Sequence, residues 1–178
     1  SLRNLKDRIK EHLAVIQFLV SMVIPIILRM GGRPVLFYRY VGIGDILCSF
    51  PAVDRLKEKH PNKVYIYSCY PEFACLPKMA GITSKVVSVR VEIIESYWSY
   101  LFEEIYTFWH DDEPGYNKLE GALNEVSVIE DFGRQYGVNA GDFHPFLQIE
   151  PEILAHAKIL LEKQNAAKEP LIVIHTGP

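Results

Sequence analysis

From Pro34 onward the chain alternates short apolar runs with longer stretches whose apolar residues recur at helical spacing. The runs Val35 to Tyr40, Val64 to Ser68, Val86 to Val89, Ile105 to Trp109, Phe146 to Ile149 and Leu171 to His175 predict strands. Between them, helices are predicted over about Ile46 to His60, Pro71 to Met79, Glu92 to Phe102, Leu119 to Tyr136 and Glu152 to Gln164. In the longest of these, Leu119, Leu123, Val126, Ile129 and Phe132 share one face. Gly81 and Gly137 stand where a helix-closing glycine is expected. Pro51 is expected to open the first of these helices or to kink it in an early turn. Strands alternating with helices predict an α/β, Rossmann-like fold: a parallel sheet with right-handed crossovers and flanking helices.

The pattern before Pro34 is different. Residues 2–12 are charged and helix-compatible, with Arg3, Lys6, Arg8 and Lys10 supplying positive charge. Leu13 to Met30 is then almost wholly apolar, interrupted by Gln17, Ser21, Pro25 and Arg29. Spanning a bilayer takes about 20 such residues, so the run is borderline, and Pro25 should kink it. No small-residue cleavage site of the secretory type follows, which argues against a signal peptide. An interfacial helix, a short anchor and an ordinary buried helix all remain open. The basic flanks Lys10, Arg29 and Arg33 favour an anionic membrane surface, and the same apolar helix could build a homo-oligomer.

Composition narrows the class. With 178 residues, 49% hydrophobic and 23% charged, the chain is long and apolar enough for a folded core. A net charge of -3 argues against nucleic acid as a partner, which would call for a basic excess. Cys48, Cys69 and Cys75 are an odd count without a C-x-x-C, so reduced thiols in a cytosolic setting are expected, with Cys48 and Cys69 buried in apolar surroundings. The chain begins at Ser1 and ends at Thr176-Gly177-Pro178, directly after an expected strand, so a further domain is expected beyond it.

The chemistry concentrates in Pro34 to Leu56, a strand, a Gly42-Ile43-Gly44-Asp45 turn and a helix start. In a parallel α/β sheet such a turn lies at the carboxyl edge, where ligands bind. The turn lacks the third glycine of a dinucleotide fingerprint, and no acidic residue stands at the end of the second strand, so nicotinamide and flavin cofactors are disfavoured. There is no phosphate-binding G-x-x-x-x-G-K-[ST]. Asp45 has two readings. It could be a helix cap or first-turn carboxylate, which spacing alone favours. It could also be a general base, since the helix dipole stabilises the carboxylate form that a base needs. The loop His110-Asp111-Asp112-Glu113 could hold a metal, although consecutive residues rarely converge on one ion and an exposed acidic loop is commoner. His110 could instead contact a polar substrate. His175 could be a capped core histidine or a ligand.

Arg39-Tyr40-Val41-Gly42-Ile43-Gly44-Asp45-Ile46-Leu47, followed by Pro51-Ala52 and Leu56, resembles the opening signature of the lipopolysaccharide heptosyltransferases, glycosyltransferase family 9. Ile129 to Val138 resembles the helix before that family's interdomain segment. Pro170 to Gly177 resembles the strand and turn that open its second domain. The likeness runs over residues 34–177 in consistent order. The chain departs from the family after the fourth strand, where His110 to Gly115 replaces a Gln-Gly-type turn.

The resemblance implies the N-terminal, acceptor-side half of a GT-B glycosyltransferase. Residues 1–33 would form an apolar helical extension, 34–170 the acceptor-binding domain, and 171–178 the start of a nucleotide-sugar-binding domain. Such enzymes transfer a sugar with inversion and without a metal or other cofactor, the nucleotide-sugar being a substrate. By resemblance, Asp45 is the catalytic base. Gly42 and Gly44 would admit the acceptor, with Arg39 and His110 as further substrate contacts, and His175, Thr176 and Gly177 would reach the donor phosphates. The acceptor would be a lipopolysaccharide or other lipid-linked envelope glycan, and the enzyme cytoplasmic and peripheral to the inner face of the cell membrane. This half is not expected to turn over by itself. The alternatives are a membrane-tethered binding module without catalysis, a Rossmann oxidoreductase, and a structural protein dimerised through its first helix.

Overall fold

The computed structural model describes residues 2–40, 42–108, 128–141, 148–149 and 151–163. Its centre is a parallel sheet of β1 (Val35–Tyr38), β2 (Tyr65–Ser68), β3 (Val86–Val87) and β4 (Glu104–Thr107) in the order β3-β2-β1-β4. Val35 pairs with Tyr65 on one side and Glu104 on the other. The expected α/β, Rossmann-like class is what the chain adopts. β1, β3 and β4 end two residues earlier than the apolar runs do, and β2 ends at Ser68 as expected; the ladder continues one residue on, with Arg39 N–H donating to Ser68 O and Phe108 N–H to Tyr38 O.

β1 is buried along its whole length because both faces are covered. Val35 and Phe37 enter one apolar cluster with Phe50, Val53 and Leu56 of α3 (Ile43–Lys59) and Phe132 of α6 (Val128–Arg134). Leu36 and Tyr38 enter a second with Ile94 of α5 (Val91–Tyr97) and residues of the first helix. Period-two alternation on a centre strand thus ties two layers of helix together.

The first helix runs from Leu2 to Met30 as α1 (Leu2–Phe18), a π turn (Leu19–Val23) and α2 (Ile24–Met30). The π turn ends two residues before Pro25, and in it Ile24 N–H donates to Leu19 O. Proline has no N–H and its ring crowds the carbonyl four residues back, so slipping the ladder by one residue relieves the clash. Val15, Phe18, Leu19, Val23 and Ile26 are buried in the second cluster, and the helix forms a layer on the sheet together with α5.

Other boundaries shift for local reasons. The helix expected from Ile46 starts at Ile43, with Gly42 as N-cap in extended conformation. Pro51 does not open it. It lies inside the helix and is buried, and the burial of Phe50, Ala52, Val53 and Leu56 around it offsets a cost of about 3 kcal/mol. Pro71–Phe73 is a 3-10 turn before the short α4 (Leu76–Met79). The helix expected over Glu92 to Phe102 is α5 plus a 3-10 turn, Ser99–Leu101. Gly81 and Gly137 do follow helices, at φ 68° and 64°. Of the long helix expected from Leu119, only Val128–Arg134 lies among the described helical residues. Gln148 and Ile149, the described end of the expected fifth strand, are not in a strand. The chain divides into Ser1–Leu147 and Gln148–Pro178, and the second unit contains α7 (Pro151–Lys163).

Candidate functional site

The turn after β1 brings the side chains of Arg39 and Asp45 together at the carboxyl edge of the sheet. Arg39 follows the last residue of β1 and is almost fully buried, at 1% exposure. Its guanidinium donates to the carbonyl of Phe108, just past β4, and lies 5.0 Å from the centre of the Phe132 ring on α6. Its Nη2 stands 3.3 Å from Asp45 Oδ1. Its fork donates to the chain just past β4, and the contact with Asp45 is an ion pair rather than a hydrogen bond. The resemblance implied direct substrate contact for Arg39. Its side chain is buried and faces Asp45.

Asp45 is the third residue of α3, inside the first helical turn and not at the N-cap. The first-turn amides of α3, which have no partner within the helix, and the Arg39 guanidinium both stand beside it. The Asp45 side chain is about one-third exposed, 34%, while Arg39 behind it is buried. Oδ1 faces Arg39. Oδ2 lies on the Gly42 side, where a Cβ on Gly42 would come within 3.8 Å of it. The arrangement holds a carboxylate by one oxygen and presents the other at the sheet's ligand edge.

The glycines are informative because the backbone does not demand them. Gly42 has φ −63°, which any residue adopts, and a Cβ on Gly44 would meet nothing within 4 Å. Both residues are exposed. Among the described residues, neither conformation nor packing explains them.

Beside this turn lies a group that the sequence pattern did not single out. Tyr40 and Tyr70 sit with ring centroids 4.1 Å apart, Tyr38 stacks on Tyr40 at 5.4 Å, and the Tyr40 hydroxyl bonds Ser88 Oγ. Tyr40 and Tyr70 each fall two residues past a strand end, and Ser88 one past β3. That offset from the strand ends is the signal that could have found them. Burial raises the pKa of the Tyr40 phenol, as it does that of Tyr38. One turn beyond Asp45, the Cys48 thiol is pushed up by burial and then by the Asp45 charge, which keeps it protonated. Cys69 is buried and its thiol is raised by burial to about 11, so it is an inert core group.

His110, His175, Thr176 and Gly177 lie outside the described residues, as does the loop His110 to Gly115. Among the described residues no three His, Cys, Asp or Glu side chains converge as a metal site.

No protein-family model matches the chain, and no curated protein does. Among solved structures it is similar to the E. coli heptosyltransferase WaaC with ADP, at 14% identity and TM-score 0.42, over 68% of this chain and 53% of that one. It is also similar to E. coli heptosyltransferase WaaC with ADP-2-deoxy-2-fluoro heptose, at 12% identity and TM-score 0.35, over 63% and 51%. The chain thus spans about half the length of the WaaC chains it matches. At this identity and overlap the likeness carries nothing about reaction or substrate, and the fold class rests on the chain's own sheet.

Proposed function

We propose that this chain is the acceptor-side half of an inverting, heptosyltransferase-like glycosyltransferase that uses a nucleotide-sugar and a lipopolysaccharide or other envelope glycan acceptor. The observation that carries the reading is the Asp45 carboxylate, held at 3.3 Å by a buried arginine and fronted by two glycines that neither backbone nor packing requires. The signature of residues 39–56 supports it independently, since that motif implies a base at Asp45.

In this reading Asp45 Oδ2 takes the proton of the acceptor hydroxyl as its oxygen attacks the anomeric carbon. The bond from that carbon to the nucleoside diphosphate breaks, the diphosphate leaves with the electron pair, and the anomeric centre inverts. Arg39 fixes the carboxylate's orientation so that one oxygen faces the acceptor. Gly42 and Gly44 leave room for the hydroxyl's carbon to approach. The donor would be bound by the second domain, which the resemblance starts at residue 171.

Asp45→Asn in the full-length enzyme tests this. The amide keeps the shape but cannot take a proton, so transfer from nucleotide-sugars to extracted lipopolysaccharide should fall by about a hundredfold or more, while the circular dichroism and unfolding midpoint hold. Near-normal transfer by that variant would remove Asp45 as the base.

A further inference from the structure

The first helix has two apolar faces. One is buried on the sheet. The other carries Leu5, Ile9, Leu13, Ile16, Val20 and Ile24, all between 39% and 60% exposed, in steps of three and four residues. Leu28, at 79% exposure, continues the line by another four. The π turn keeps the stripe straight, because its extra residue offsets the drift of successive four-residue steps around an α-helix. Soluble chains rarely expose a continuous apolar strip without something to cover it.

The charges around the strip say what covers it. Lys6 and Lys10 flank it on one side and Arg8 on the other, all exposed. The acidic residues of this helix, Asp7 and Glu11, fall on the far side, where Glu11 pairs with Arg90 at 3.4 Å. At the helix's other end is a cleft of about 360 Å³ between α2 and the amino edge of the sheet, lined by Met22, Ile26, Met30, Arg29 and Lys85 among others. Arg33 nearby is engaged by Glu103 at 3.7 Å, whereas Arg29 and Lys85 meet no carboxylate among the described residues. Apolar side chains bordered by cations along one line, with a cationic, methionine-lined cleft at its end, match the chemistry of an anionic phospholipid surface: acyl chains below, phosphates level with the basic groups.

We infer that this helix lies in the plane of an anionic membrane, its outer stripe in the headgroup–acyl boundary and the Arg29–Lys85 cleft on a lipid phosphate, while its inner face stays in the protein core. It therefore does not span the bilayer, although it is a 26-residue apolar helix long enough to do so. Crossing would strip Val15, Leu19 and Val23 from the core they fill. The assignment does not depend on the chemistry at Asp45.

Vesicle co-sedimentation of the 178-residue chain tests it. The chain should pellet with phosphatidylglycerol–phosphatidylcholine vesicles and weakly or not at all with pure phosphatidylcholine. Leu13→Glu with Val20→Glu should cut partitioning at least tenfold at an unchanged unfolding midpoint, and Leu13→Ser with Val20→Ser should do so in smaller measure if the charged pair disturbs folding. Lys6→Gln should weaken binding roughly fivefold, as should Lys85→Gln in the cleft. Equal binding by the stripe variants overturns the assignment. So does undiminished binding to neutral vesicles, or a doubled mass by sedimentation equilibrium with no vesicle binding, which would make a second copy the occupant.

Discussion

At the scale of single residues, the site turns on an asymmetry between Arg39 and Asp45. The guanidinium is buried and fixed, and the carboxylate it holds is partly open. Local spacing cannot distinguish a first-turn carboxylate from a base, because both need the same place at a helix start. The third dimension adds an arginine six residues earlier, which lies against β4 and α6 and reaches the same carboxylate. The glycines give the sharpest residue-level prediction. Gly44 sits in the first turn of α3 with open space around it, so Gly44→Ala should stabilise the fold by about 0.5–1 kcal/mol. The same methyl would intrude on the acceptor's approach, so transfer by the full-length enzyme should fall while the melting temperature rises. An unchanged rate alongside that rise would show that nothing approaches over Gly44.

At the scale of elements, the first helix is the clearest case of sequence pattern and packing saying different things. Leu13 to Met30 is apolar nearly all round, and hydropathy alone leaves membrane and core readings open. Packing sorts the residues one by one. Val15 is fully buried and its neighbour Ile16 is 44% exposed. Val15→Asp should therefore cost about 3 kcal/mol or more, from burial of an unpaired charge and loss of core contacts, and Ile16→Asp well under 1 kcal/mol. Urea midpoints of the two variants check this, and equal losses would mean that the helix does not sit on the sheet as described. The strands were legible as apolar runs, though those of β1, β3 and β4 were two residues too long, because strand ends stay buried after their pairing stops. Pro51 and Pro25 both lie within helices. A proline's local cost is fixed, but a helix that buries enough apolar surface or slips into a π turn absorbs it.

At the scale of the whole molecule, the core contains hydroxyl and thiol groups that must remain protonated. Burial pushes the Cys69 thiol from 9.0 to about 11 and the Tyr106 phenol from 10.0 to about 12, and it also raises the fully buried Tyr67. The folded state keeps these protons when the unfolded chain has begun to lose them. Their contribution is complete below about pH 9 and is lost as pH rises through about 11 and 12. The urea midpoint should therefore be flat from pH 7 to 9 and fall steeply between 9 and 12, less so in Tyr106→Phe. A midpoint independent of alkaline pH would contradict the burial of these groups.

By itself the sequence determined the α/β class, the alternation of strand and helix, and the place of the Gly42 to Asp45 turn at a strand's end. These follow from local periodicity and turn chemistry, which act over a few neighbouring residues. Only the tertiary structure decided that β1 lies at the centre of β3-β2-β1-β4 with both faces covered. It also decided which half of the first helix is core, and that Arg39 stands against Asp45. Each of these depends on contacts between residues far apart in the chain, such as Arg39 with Phe108 and Phe132, and no local pattern encodes the distance between them.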